Sequence, residues 1–260
     1  MSTKGLSNPR TTAAVRELLA DLDWPRARVA DVGAGRGHFC ATMAEDLRAR
    51  GLRPEAHLLP CDRHPEAFQY APLACARVGE DGRLPYADGS CDAVVSIEVV
   101  EHVEDQFAFL RELARVARPG ARVIVTTPNV LSLPSRLRTL AWGFPELFGP
   151  LPLSGADERL LGGHIHPIAP YYLALTALRA GLERPTLHGD RRKRSALAWL
   201  PLCAPVLLGA GAFQRARLAR KQPVVLEENR ALLRALGGLG MLTARTVILC
   251  ALKPANATRP

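Results

Sequence analysis

The reading of this chain turns on Arg28-Val29-Ala30-Asp31-Val32-Gly33-Ala34-Gly35-Arg36-Gly37. Arg28 to Val32 is a short apolar run of strand character, and three glycines follow at alternate positions. From Arg36 to Arg50 apolar residues return at helical spacing, until Gly51 and Pro54 stop the pattern. A strand, a glycine turn and a helix in that order suit a ligand-binding loop. Glycine takes positive φ and lets a ligand meet the backbone with no Cβ between them. The helix start adds N–H groups that have no partner within the helix. The spacing is G-x-G-x-G, with an acid two residues before the first glycine, so it departs from the dinucleotide G-x-G-x-x-G pattern. Taken alone, the stretch also admits a reading as a plain tight strand-to-helix turn.

Working outward, strands and helices alternate. Ala14, Val15, Leu18, Leu19 and Leu22 recur at helical spacing between Thr11 and Asp23. Ala56 to Cys61 reads as a second strand with Pro60 near its end, and Pro65 to Cys75 as a helix interrupted by Pro72. A short strand at Ala76 to Gly79 precedes a strand at Ala93 to Ile97 and a helix at Asp105 to Ala117. Pro119-Gly120 reads as a stop, and Arg122 to Thr127 as a strand closed by Pro128. Tyr171 to Ala180 is a helix ended by Gly181, Leu182 to Leu187 a strand, and Thr246 to Leu252 the last strand. This order predicts an α/β fold with a doubly wound, mostly parallel, seven-stranded Rossmann-like sheet. Right-handed crossovers gather the strand carboxyl ends on one edge, where ligands bind at the reversal of strand order. We expect one domain over 1–260: a cofactor-binding core at 24–129, a helical acceptor cap at 130–181, a basic-flanked apolar insert at 191–221 and the last strand at 244–253.

Half of the chain's 260 residues, near enough, are apolar, which describes a globular protein. Its six cysteines are scattered with no C-x-x-C pair, a usage that suits a reducing cytoplasm better than a disulfide framework or zinc site. Met1 to Arg10 is polar and lacks the apolar stretch of a secretory signal, so a cytoplasmic location is expected.

Four blocks lie in order between Val29 and Asn129: Val29 to Gly37, Leu84-Pro85-Tyr86-Ala87-Asp88-Gly89-Ser90-Cys91-Asp92, Glu98-Val99-Val100-Glu101-His102-Val103, and Arg118-Pro119-Gly120 leading to Thr127-Pro128-Asn129. Together they resemble class I S-adenosylmethionine-dependent methyltransferases. The resemblance implies that Asp31, Gly33, Gly35 and Gly37 surround the methionine moiety and sulfonium of S-adenosylmethionine. It implies that Asp62 binds the ribose hydroxyls, a task a carboxylate suits because it accepts two hydrogen bonds at once. Where the family has Gly-Asp before Leu-Pro, this chain has Gly79-Glu80-Asp81-Gly82, so either Glu80 or Asp81 takes the adenine position.

An oxygen acceptor needs its proton removed or its anion stabilised. Glu101 and His102, just after the fourth strand, are the candidate catalytic groups. The Glu98-x-x-Glu101-His102 arrangement resembles ubiquinone-pathway O-methyltransferases and small-RNA 3′-terminal 2′-O-methyltransferases, in which a divalent cation is coordinated. In a helical turn Glu98, Glu101 and His102 would share one face. That resemblance makes Glu98, Glu101, His102 and His164 a candidate set for Mg²⁺, Mn²⁺ or Zn²⁺. A metal-free base and a purely structural cluster stay open beside it.

The net charge of +9 is uneven. Arg191, Arg192, Lys193, Arg194, Arg215, Arg217, Arg220 and Lys221 bracket Ser195 to Phe213, which holds no charged residue. The run approaches the length of a membrane span, but both its ends must return to one sheet. Pro201 and Pro205 are expected to break it into shorter helices. One reading is a shallow hairpin in the cytoplasmic leaflet of a membrane with its basic flanks on anionic lipid; the other is a buried cap helix or a dimer contact. The expected function is methylation of an oxygen on a small or lipid-linked metabolite. The alternatives are RNA 2′-O-methylation and a non-catalytic cofactor-binding or membrane-associated scaffold. Nucleic acid is the less favoured partner, because the few aromatics are not interleaved with the basic runs.

Overall fold

Alternation of side chains across a pleated strand decides how this chain layers. In a computed structural model describing residues 8–151 and 163–255, β1 (Val29–Val32) turns Ala30 and Val32 to one face and Val29 to the other. β4 (Cys91–Ile97) does likewise, with Val94 on the first face and Ala93 and Val95 on the second. Each face is apolar, so each needs a helical cover.

The second face is covered by α1 (Pro9–Leu18) and α2 (His38–Ala49), through Val15, Phe39, Met43 and Leu47. The first face is covered by α4 (Gln106–Val116) and α6 (Pro170–Arg179), through Leu110, Leu113, Leu173 and Ala177. Between them runs a seven-stranded sheet, β3-β2-β1-β4-β5-β7-β6. Its remaining strands are β2 (Leu58–Asp62), preceded by the single turn α3 (Pro54–His57), β3 (Ala76–Arg77), β5 (Ala117–Pro128), β6 (Glu183–Gly189) and β7 (Thr246–Leu252). β3, β2, β1, β4 and β5 are parallel, and β7 runs antiparallel to both β5 and β6. The order reverses between β1 and β4, so the crevice at their carboxyl ends is the ligand position of a doubly wound sheet.

Several expectations are corrected. Pro65 to Cys75 is not a helix; a 3₁₀ turn at Pro65–Ala67 leads into irregular chain, since Pro72 removes a donor where a helix would need one. Pro119-Gly120 does not stop a segment but lies inside β5, where Gly120 donates to the Lys253 carbonyl. The cap at 130–181 is only partly a cap: α5 (Leu133–Trp142) lies beyond the sheet edge, but the apolar stripe of α6 draws it onto the sheet. Residues 152–162 of that cap, and the first seven residues of the chain, lie outside the described residues. The insert is one continuous helix, α7 (Arg194–Lys221, 28 residues), with both prolines inside it. It is also not buried, since Ala196 alone of its residues is fully covered. α8 (Pro223–Glu228), α9 (Arg230–Leu236) and α10 (Leu239–Thr243) bring the chain back to β7.

Candidate active site

Gly33, Gly35 and Gly37 all have positive φ, but two of them serve different purposes. A Cβ on Gly33 would overlap the Val99 side chain, so this glycine lets the β1 and β4 ends close together. Gly35, at φ +51°, faces open space: a Cβ there would meet nothing within 4 Å. Backbone is therefore exposed to the crevice at the middle of the loop, which is the cradle a close-lying ligand needs.

Asp62, at the end of β2, borders the same loop. Its Oδ2 accepts from the Gly35 N–H at 2.8 Å and its Oδ1 from the His64 N–H at 2.8 Å. Each oxygen keeps a second lone pair, so the half-buried carboxylate is oriented and still able to accept hydrogen bonds from two hydroxyl groups. Asp31 is buried on the face of β1 that α2 covers, where its Oδ2 accepts from the Cys40 thiol at 3.2 Å. Burial raises its pKa to about 7, with the charge of Asp62 adding to the rise and the thiol opposing it. Glu80 and Asp81 are both exposed, and the Asp81 Oδ1 is taken by the N–H of Arg83 in its own turn. Glu80 accepts from Arg63 through its backbone carbonyl, and among the described residues its carboxylate is in no ion pair.

The acceptor side forms at the end of β4. Glu98 carries φ +54°, an uncommon conformation for a residue with a side chain. Its N–H donates to the Thr126 hydroxyl at 3.0 Å, and its Oε1 accepts from Arg245 at 2.8 Å. Arg245 is in turn fixed by Asp190, whose Oδ1 accepts from the N–H groups of Arg245 and Thr246. The expected helical face of Glu98, Glu101 and His102 does not form. Glu98 precedes the short 3₁₀ turn Val100–His102, and its carboxylate belongs to the Arg245 ion pair.

Glu101, His102 and His164 do come together, with one donor atom from each lying within 4.8 Å of the others. Glu101 is fully buried, and among the described residues neither carboxyl oxygen has a hydrogen-bond partner. Burial raises its pKa to about 8, with the charge of Glu98 adding to the rise and that of Arg245 opposing it. The Glu101 carbonyl accepts from the N–H groups of Ile165 and His166, which ties the segment bearing His164 over the site. Nδ1 of His102 lies 3.2 Å from the Gly163 carbonyl, and Nδ1 of His164 lies 2.7 Å from the Leu147 carbonyl. A carbonyl only accepts, so each neutral ring carries its proton on Nδ1 and its free lone pair on Nε2. Burial also lowers the pKa of His164, which favours the neutral ring. One carboxyl group and two imidazole nitrogens make a donor set that fits Zn²⁺ or Mn²⁺ better than Mg²⁺, which prefers oxygen.

Arg245 and Asp190 were not among the candidates from sequence. The available signal was strand direction: a residue just before an antiparallel strand lies on the same edge as residues just after parallel ones.

Comparison with known proteins agrees with this geometry. Residues 30–125 match the family model described as "Methyltransferase domain". Norajmaline N-methyltransferase of Rauvolfia serpentina is 34% identical over 98 residues, covering 36% of this chain and 34% of that protein. Arsenite methyltransferase of Halobacterium salinarum is 30% identical over 131 residues, covering 47% of this chain and 30% of that protein. The chain thus spans about a third of the length of the curated relatives it matches. Among solved structures, a SAM-dependent methyltransferase from Archaeoglobus fulgidus aligns with a TM-score of 0.56 at 15% identity, over 94% of this chain and 93% of that one. That likeness extends the shared fold beyond the matched block to nearly the whole chain. With the glycine cradle, the oriented Asp62 and the sheet order in agreement, residues 30–125 carry a methyltransferase domain, set in a fold shared with S-adenosylmethionine-dependent methyltransferases.

Proposed function

We propose that this protein transfers a methyl group from S-adenosylmethionine to an oxygen of a small or lipid-linked metabolite, with His102 as the base. The observation that carries the reading is the free Nε2 lone pair of His102 beside the buried Glu101 carboxyl, on the sheet edge that holds the glycine cradle. When bound, S-adenosylmethionine supplies an electrophilic methyl group on a sulfonium. The open backbone at Gly35 receives its methionine end, and Asp62 holds its ribose. Glu80 is the residue free to meet the adenine.

His102 accepts the acceptor's hydroxyl proton at Nε2, while its Nδ1–H stays on the Gly163 carbonyl and holds the ring in place. The Glu101 carboxyl group lies beside that ring and stabilises the imidazolium as it forms. The named relatives act on nitrogen and on arsenite, so the choice of oxygen rests on these two groups rather than on them.

The two orphaned oxygens of Glu101 favour a second reading, in which Glu101, His102 and His164 hold a divalent cation. Bound there, the cation would stabilise the acceptor's oxyanion. Labelled S-adenosylmethionine offered with lipid, small-molecule and RNA fractions tests the proposal. Label should enter a metabolite or lipid, and His102→Ala should lower its transfer by about 10²–10⁴ with cofactor affinity kept. Loss of transfer on adding a chelator selects the cation reading. Label confined to RNA would replace the acceptor class, and binding without transfer in every fraction would leave a non-catalytic scaffold.

A further inference from the structure

Surface helices of soluble proteins bury one stripe and turn polar residues to water. α7 breaks this rule over its first five turns. Its inner stripe is ordinary: Ala196, Leu200, Cys203 and Leu207 pack on Leu133 of α5 and Leu242 of α10. Its outer face is apolar as well, with Leu202 69%, Val206 71%, Leu208 63% and Phe213 66% exposed. No residue from Ser195 to Phe213 is charged. The neighbouring α5 extends the surface with exposed Leu140 and Trp142, and α7 adds exposed Trp199.

Charge says what covers this surface. Arg192 and Arg194 stand before the apolar face, and Arg215, Arg217, Arg220 and Lys221 after it, all exposed. Among the described residues none of the six is in an ion pair. Where α8 and α9 fold back along α7, a cleft of about 470 Å³ sets Leu208, Leu226 and Leu233 beside Arg215, Arg230 and Arg234. Apolar walls with guanidinium groups at the rim match the acyl chain and phosphate of an anionic phospholipid.

We propose that α7 and the exposed end of α5 dock this protein on the surface of an anionic phospholipid bilayer. α7 lies in the interfacial layer with its outer face among the acyl chains and its arginines on the phosphates. Trp142 and Trp199 occupy the headgroup level that amphipathic rings prefer. A full crossing is excluded by the return path, since α8 and α9 carry Glu227, Glu228, Arg230 and Arg234 and α9 packs back on β6. A second copy fits less well: pairing two α7 helices in either direction sets basic ends against basic ends. The insert leaves β6 at Gly189 and rejoins β7 at Thr246, on the edge that holds Arg245 and Glu98. Docking there brings a membrane-borne acceptor to the site, although the docking itself does not depend on catalysis.

Sedimentation of the full chain with vesicles tests this. The protein should pellet with phosphatidylcholine vesicles containing phosphatidylglycerol, stay in solution with phosphatidylcholine alone, and detach as salt rises. Leu202→Glu with Val206→Glu should weaken the binding at least about tenfold, as should Arg217→Glu with Arg220→Glu. Both pairs are exposed, so melting temperatures should stay at the wild-type value. Independently of any variant, brominated lipid should quench the tryptophan fluorescence of the wild-type chain. Absence of pelleting and quenching with anionic vesicles would overturn the proposal. So would a wild-type dimer that L202E/V206E converts to monomer with vesicle binding unchanged.

Discussion

Asp31→Asn should make the ligand-free protein more stable at neutral pH while weakening its hold on the cofactor. Asp31 is 3% exposed and its carboxyl is pushed from 3.8 to about 7, chiefly by burial. Below about pH 4 the group is protonated folded or unfolded, and it costs nothing. As pH rises from there to about 7, the unfolded chain releases the proton and the folded chain retains it, so stability falls. Above about pH 7 the full cost applies. The gap between 3.8 and about 7 corresponds to about 4 kcal/mol, an upper figure because the buried site relaxes. Asparagine has the same shape, still accepts from the Cys40 thiol, and does not ionise. Urea unfolding of both proteins at about pH 5 and about pH 8 measures the effect, and every other titrating group cancels in the difference. The variant's advantage should grow by about 2–4 kcal/mol between the two conditions. A difference that stays constant with pH would refute the argument from burial.

The glycine loop gives a second contrast. Gly33→Ala should cost about 2–4 kcal/mol, since its Cβ overlaps Val99 at an unfavourable φ, whereas Gly35→Ala should cost about 1 kcal/mol in thermal or urea unfolding. Cofactor titration should reverse the ranking among folded proteins, because the Gly35 methyl fills the cradle. Arg245→Met leaves the half-buried Glu98 without its cation and should destabilise by about 1–3 kcal/mol. Adding Glu98→Gln should restore part of that loss; strict additivity in the double-mutant cycle would show that the pair is not coupled.

The glycine turn and strands β1, β4 and β7 were legible because their signals are local: mostly apolar runs four to seven residues long. The departures have physical causes outside any window. Pro119-Gly120 reads as a terminator, yet Gly120 takes φ +80° and pairs with Lys253, more than a hundred residues away. Pro201 and Pro205 do not break α7, because both lie on its exposed side, where the carbonyls they release stay open to solvent. Glu98 was placed with Glu101 and His102 by spacing, but spacing does not show Arg245, 147 residues further on, drawing it away. The fold brings Glu101, His102 and His164 together. The Nδ1 contacts that set their lone pairs run to backbone carbonyls, which no sequence pattern records.

The cradle at Gly35 bears most of the account, and calorimetric titration of the full chain with S-adenosylmethionine tests it most directly. The account predicts saturable one-to-one binding that Asp62→Ala weakens by at least about tenfold, through loss of two charge-assisted hydrogen bonds to the ribose. Titration that shows no heat with S-adenosylmethionine, but saturates with a nicotinamide dinucleotide, would contradict it.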